Sequence, residues 1–123
     1  MFDLKPDEAQ LLLNIALMAV GSNRFRSAAK ILAALERFRP DHPSVAVAKT
    51  VALMSAGDFE SAVGYVDGEA LGKFPGSAML KAFKGMALIR LGRKAEAMSV
   101  LEDASRATDD PAAAKMARDL LKG

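Results

Sequence analysis

The chain has 123 residues, with 17 lysines and arginines against 15 aspartates and glutamates, for a formal charge of +2. That length suits one domain, and charges interspersed without a basic, aromatic-laced stripe argue against nucleic-acid binding despite a pI near 9.0. The absence of cysteine excludes disulfides and thiolate metal sites, while 51% hydrophobic residues and a mean hydropathy of +0.12 point to apolar surface awaiting a partner.

Pro6-Asp7-Glu8 opens a first helix, with proline and acids where a first turn favours them. It is expected to run to about Val20 and to stop at Gly21-Ser22-Asn23. Its apolar run, Leu11 to Val20, is too short to span a bilayer. Net acidic residues precede it, whereas a secretory signal starts positive, so a cytoplasmic location is expected. A second helix covers about Arg24 to Phe38 and ends before Pro40; His42-Pro43-Ser44 opens a third, to Ala56. Gly57 can take the left-handed conformation that ends a helix, and Asp58 can cap a fourth. Along that fourth helix Gly64, Gly68 and Gly72 stand four apart, each costing about 1 kcal/mol against alanine. Either a glycine face packs unusually close, or the helix frays near Gly68; fraying towards Phe74-Pro75-Gly76 is the expectation. Ser77 begins a fifth helix to Leu91, and Arg93 a sixth to about Ala107. Asp110-Pro111 is a strong cap-plus-first-turn signal for a seventh, to Leu121. No pattern suggests a strand.

The turn Gly57-Asp58-Phe59-Glu60-Ser61-Ala62 organises this series. Phe59 is placed to plug a helical hairpin, and Ala62 to let two helices approach closely. Asn23-Arg24-Phe25-Arg26-Ser27-Ala28 precedes it by 34 residues, and Gly92-Arg93-Lys94-Ala95-Glu96-Ala97 follows by 35. Small residues in the first helices fall on Ala16, Thr50 and Gly85. Second-helix pairs fall on Ala28/Leu32, Ala62/Val66 and Ala97/Leu101, and closing prolines on Pro40 and Pro75. A helix–turn–helix period of about 34 residues resembles the tetratricopeptide repeat. The resemblance implies a single all-α domain over residues 1–123. Three hairpins (about 7–40, 41–75 and 76–109) and a polar capping helix (110–122) would form a short right-handed solenoid with a concave groove. There are departures. Leu12, Ala46 and Lys81 replace the early aromatic of each first helix, and Lys49 and Lys84 stand where leucine is usual.

Catalysis has little to work with. The one histidine, His42, lies between two prolines and suits a loop. There is no cysteine nucleophile, no glycine-rich phosphate loop and no carboxylate pair at metal-ligand spacing, and Asp109-Asp110 suits helix capping. No enzyme, cofactor or metal is expected. The informative feature is the inner face of each repeat's first helix. Its columns read Leu13/Val47/Ala82, Asn14/Ala48/Phe83, Leu17/Val51/Met86 and Val20/Met54/Ile89, with Met79 one turn before Phe83. A groove for a charged peptide tail would carry lysine, arginine or asparagine there. An apolar trough with adaptable methionines suits the greasy face of an amphipathic helix. The same stripe could equally fill the core of a small bundle. Packing faces supplied by Ile15, Ala19, Leu32, Leu53, Leu88 and Leu101 favour the groove. The first helix is apolar on nearly all sides, so Leu11, Leu12 and Met18 are expected to meet a second copy or another protein.

Within the repeat class, the chain resembles the small co-chaperone of the type III secretion needle subunit (YscG/PscG type). The stretches that carry this are Ile15-Ala16-Leu17-Met18 with Gly21, Leu53-Met54-Ser55-Ala56-Gly57-Asp58-Phe59 with Ser61-Ala62, Arg90-Leu91-Gly92, and Asp109-Asp110-Pro111 opening a last helix. The resemblance implies a cytoplasmic holder that keeps the needle subunit monomeric. The subunit's amphipathic C-terminal helix would lie in the groove, and a small helical co-chaperone would cover the N-terminal repeat, making a heterotrimer. Gly64 to Gly76 fits that family poorly. A translocator-type secretion chaperone, a generic peptide-binding adaptor and a self-assembling homodimer are the alternative readings.

Overall fold

Two hairpin turns follow helices that end on a glycine. In the computed structural model, which describes residues 14, 15, 18, 24–38 and 43–123, Gly57 has φ +80° and Gly92 φ +76°. That is the left-handed region where a Cβ is costly. Their amides donate to Met54 O (2.9 Å) and Ile89 O (3.0 Å), closing the preceding helices. The helices are α1 (Phe25–Phe38), α2 (Pro43–Ser55), α3 (Phe59–Tyr65), α4 (Ala78–Arg90), α5 (Lys94–Ser105) and α6 (Pro111–Lys122). Asn14, Ile15 and Met18 are helical too; the remainder of the expected first helix, and His42, lie outside the described residues. Among the described residues there is no strand.

The chain divides into two compact units, Met1–Gly57 and Asp58–Gly123. In the first, α1 packs against α2. Leu32, Leu35, Val45 and Ala48 are buried together, with Ile31 and Ala52 against them. Thr50 is fully buried, and its hydroxyl donates to Ala46 O one turn back at 2.9 Å, so that hydroxyl is not stranded. Lys49 reaches Glu36 of α1 at 2.9 Å.

In the second unit α4 is the hub, packing against α3, α5 and α6. Side-chain caps start α3, α4 and α6. Asp58 accepts from the Ser61 amide (3.2 Å), Ser77 from that of Leu80 (3.3 Å) and Asp110 from that of Ala113 (3.0 Å), with Pro111 leading α6. The repeat register is visible in the burial. Ala28, Ala62 and Ala97 are all buried, as are Leu32, Val66 and Leu101 one turn on. Gly85 lets Leu101 of α5 lie against the α4 backbone, where an added Cβ would collide with Leu101 Cγ and Cδ2.

The glycine-rich segment corrects both expectations. It does not fray. α3 widens into a π-helical segment, Val66–Ala70, and returns to an α turn, Leu71–Lys73, with Leu71 N–H donating to Val66 O and Phe74 N–H to Ala70 O at 2.8 Å. Nor do the glycines pack closely, since nothing lies within 4 Å of a Cβ built at Gly64, Gly68 or Gly72. What holds the segment is Val66 and Ala70, both buried, while Asp67, Gly68 and Glu69 face solvent. Burial of that pair outweighs the glycines' conformational cost.

Candidate functional site

The α4 face that carries Met79, Phe83 and Met86, spaced four and three apart, is half-buried, and Ile89 one turn further on is 41% exposed. Leu80, Ala82, Ala87 and Leu88 point into the core. On α2 the same spacing places Val47, Val51 and Met54 along one face, and all three are half-buried. α2 and α4 thus each keep a partly open apolar stripe beside a packed side. Ala48 and Ala82, which share the predicted columns, belong to the core instead. Leu13, Leu17 and Val20, and Leu11 and Leu12 of the partner surface, lie outside the described residues. Met18 is 71% exposed. Leu32, Leu88 and Leu101 are buried as packing requires and Leu53 is half-buried, whereas Ile15, expected to pack, is 41% exposed. Ile15 and Met18 therefore both present apolar surface.

Charges flank the α4 stripe without entering it. Lys81 donates to Asp103 of α5 at 2.7 Å, and Lys84 reaches Asp67 of the π segment at 2.6 Å. Two lysines one turn apart thereby tie α4 to the second helices of two hairpins. The Lys81 hydrogen bond, and then its charge, hold the Asp103 carboxyl below the usual aspartate range. At the α4–α5 turn, Arg93 pairs bidentately with Glu96 (2.9 and 2.7 Å), which raises the guanidinium pKa and lowers the carboxyl. Arg90 stands over the Phe59 ring at 5.8 Å. These contacts stiffen the scaffold and leave the stripe apolar. Among the described residues no group of three acidic or histidine side chains could hold a metal ion, and no helix is long and apolar enough to cross a membrane.

Helical hairpins with this turn chemistry and this small-residue register have a family counterpart. Profiles described as tetratricopeptide repeat match residues 53–121 and residues 13–78, each more than half of the chain. The chain is a tetratricopeptide-repeat protein. Its fold is also that of the type III secretion translocator chaperone SycD of Yersinia enterocolitica. The two are 16% identical, with a TM-score of 0.82 over 96% of this chain and 90% of the other. No curated protein matches. The tetratricopeptide register explains which residues sequence reasoning missed. Met98 is 40% exposed, although its counterpart one repeat earlier, Val63, is buried. Comparing those two positions was the available signal, but only burial shows that they differ.

Proposed function

We propose that this tetratricopeptide-repeat protein is a non-catalytic chaperone of type III secretion that holds the amphipathic C-terminal helix of the needle subunit. The observation that carries the reading is that two first helices each keep a partly open apolar face: Val47, Val51 and Met54 on α2, and Met79, Phe83, Met86 and Ile89 on α4. Leu13, Leu17 and Val20 extend the client surface. Leu11, Leu12 and Met18 meet a small helical co-chaperone, completing a heterotrimer, and without it the protein self-associates. The likeness to SycD favours a second reading, in which the client is a translocator rather than the needle subunit.

Binding is by burial. At about 25 cal/mol per Å2, covering a few hundred Å2 of apolar surface contributes several kcal/mol, whereas exposed charge pairs contribute little and are screened by salt. Titration calorimetry with the purified needle subunit should show affinity that survives high salt and a negative heat-capacity change. Val51→Asp or Met86→Asp should abolish binding, because each places an unpaired carboxylate in an apolar contact. Ala95→Asp, at an exposed position of α5, should bind like the wild type. Far-UV circular dichroism of each free variant separates lost binding from lost folding. Wild-type affinity in folded Val51→Asp protein would overturn the assignment. Binding of the translocator but not of the needle subunit would decide for the second reading.

A further inference from the structure

A second apolar surface lies away from the middle of the α4 stripe. Ile89 and Met98, 41% and 40% exposed, and the half-buried Leu120 and Leu121 surround a cavity of about 510 Å3 whose floor is the buried Leu101. The placement inverts ordinary packing. The fully buried side chains of α6 are Ala113, Ala114 and Ala117, while its two leucines stand at the open cavity. Val63, the counterpart of Met98, is buried on α3, which packs against α4. Met98 is therefore open at a position that is buried one repeat earlier.

Charge narrows the occupant. Lys94 and Lys122 border the cavity and no acidic side chain lines it. Lys94 starts α5, while Lys122 stands near Asp119, which is itself hydrogen-bonded to Lys115. The geometry points to a docking site for an acidic amphipathic helix of a partner protein, its apolar side chains entering between Met98 and Leu120 and its carboxylates meeting Lys94 and Lys122. This site shares only Ile89 with the proposed client stripe, and the two are separable by their methionines.

The test uses the full chain labelled at its methionine methyls and a synthetic peptide helix with a leucine face and a glutamate face. Saturable shifts of the Met98 resonance are expected, whether or not Met79 and Met86 of the client stripe also move. The leucine–lysine counterpart should not produce them. Lys94→Glu with Lys122→Glu, both surface changes, should weaken the glutamate peptide about fivefold. Met98→Glu should remove its binding while the helical signal is kept. Equal Met98 shifts with both peptides would overturn the proposal, as would shifts confined to Met79 and Met86. A Met98 shift that depends on protein concentration without peptide would also overturn it, because the occupant would then be a second copy.

Discussion

The second helices of two successive hairpins start alike and end differently. Both follow a left-handed glycine, Gly57 or Gly92, and both bury an alanine, Ala62 or Ala97, in their first turns. Both then bury a branched side chain, Val66 or Leu101. Beyond that point α5 stays α-helical to Ser105, whereas the earlier helix widens into the π segment Val66–Ala70. The difference lies in what surrounds the shared positions. Leu101 sits against the bare backbone of Gly85, a fit that leaves no slack. Val66 is followed by glycines that touch nothing, so the backbone can widen while Val66 and Ala70 stay inside. The repeat register fixes a few buried positions, and the backbone between them is set locally.

The largest effect should come from the tight side of this comparison. Leu101→Ala should cost about 3 kcal/mol in urea denaturation, as cavity-forming changes do at buried leucines. Val66→Ala should cost about 2 kcal/mol, fewer methyl groups being lost. Gly85→Ala gains about 1 kcal/mol of helix propensity but collides with Leu101, so a net loss of about 1 kcal/mol is expected. Combining Gly85→Ala with Leu101→Ala should cost less than the sum of the two, since the cavity accepts the new methyl. Strict additivity would mean that the two residues do not share a packing site.

Glycine substitutions come next. Gly57→Ala and Gly92→Ala should each cost about 1 kcal/mol, because alanine must then adopt φ near +80° or +76°. Gly64→Ala and Gly72→Ala should do the opposite and stabilise by about 0.5 kcal/mol, the added methyl meeting open space in an ordinary helical backbone. A rise in Tm at these two positions and a fall at the turn glycines would confirm the distinction. Loss of stability at Gly64 would show that this face is in contact after all.

Much of this was legible in the sequence, because the repeat is written in local chemistry. Turn glycines, capping residues Asp58, Ser77 and Asp110, and alanines 34 and 35 residues apart are short-range signals, and each lies where the hairpin needs it. The π segment was not legible. Glycine spacing alone is compatible with close packing, with fraying and with a widened turn, and burial of Val66 and Ala70 decides between them. The lysines that depart from the repeat pattern are the other case. Lys49, Lys81 and Lys84 read as weak matches, yet each forms an ion pair with another helix, through Glu36, Asp103 and Asp67. Those partners lie 13 to 22 residues away, beyond any local pattern. The apolar stripe was legible as a spacing. Whether a stripe is core or open surface is a matter of neighbours, so Ala48 and Ala82 proved to be core while Met79, Phe83 and Met86 stay partly open.

The smallest effect concerns those ion pairs, and it sharpens the contrast between contacts that join helices and contacts within one. Lys81–Asp103 joins α4 to α5, whereas Lys115–Asp119 lies within α6 at a spacing of four. Both carboxyls are held below the usual aspartate range, first by the lysine hydrogen bond and then by its charge. A carboxyl whose pKa is depressed by folding contributes stability above its unfolded pKa and loses it as pH falls through the folded value. The contribution of Asp103 should therefore be complete at neutral pH and fade below about pH 4. Asp103→Asn should cost a few tenths of a kcal/mol at pH 7, the scale of an exposed pair, and the gap to the wild type should close on acidification. Asp119→Asn should cost less still. Its carboxylate sits in the last turn of α6, where the helix dipole disfavours negative charge, and that opposes the Lys115 contact. Equal losses for the two variants at pH 7 would mean that joining α4 to α5 adds nothing beyond the pair itself.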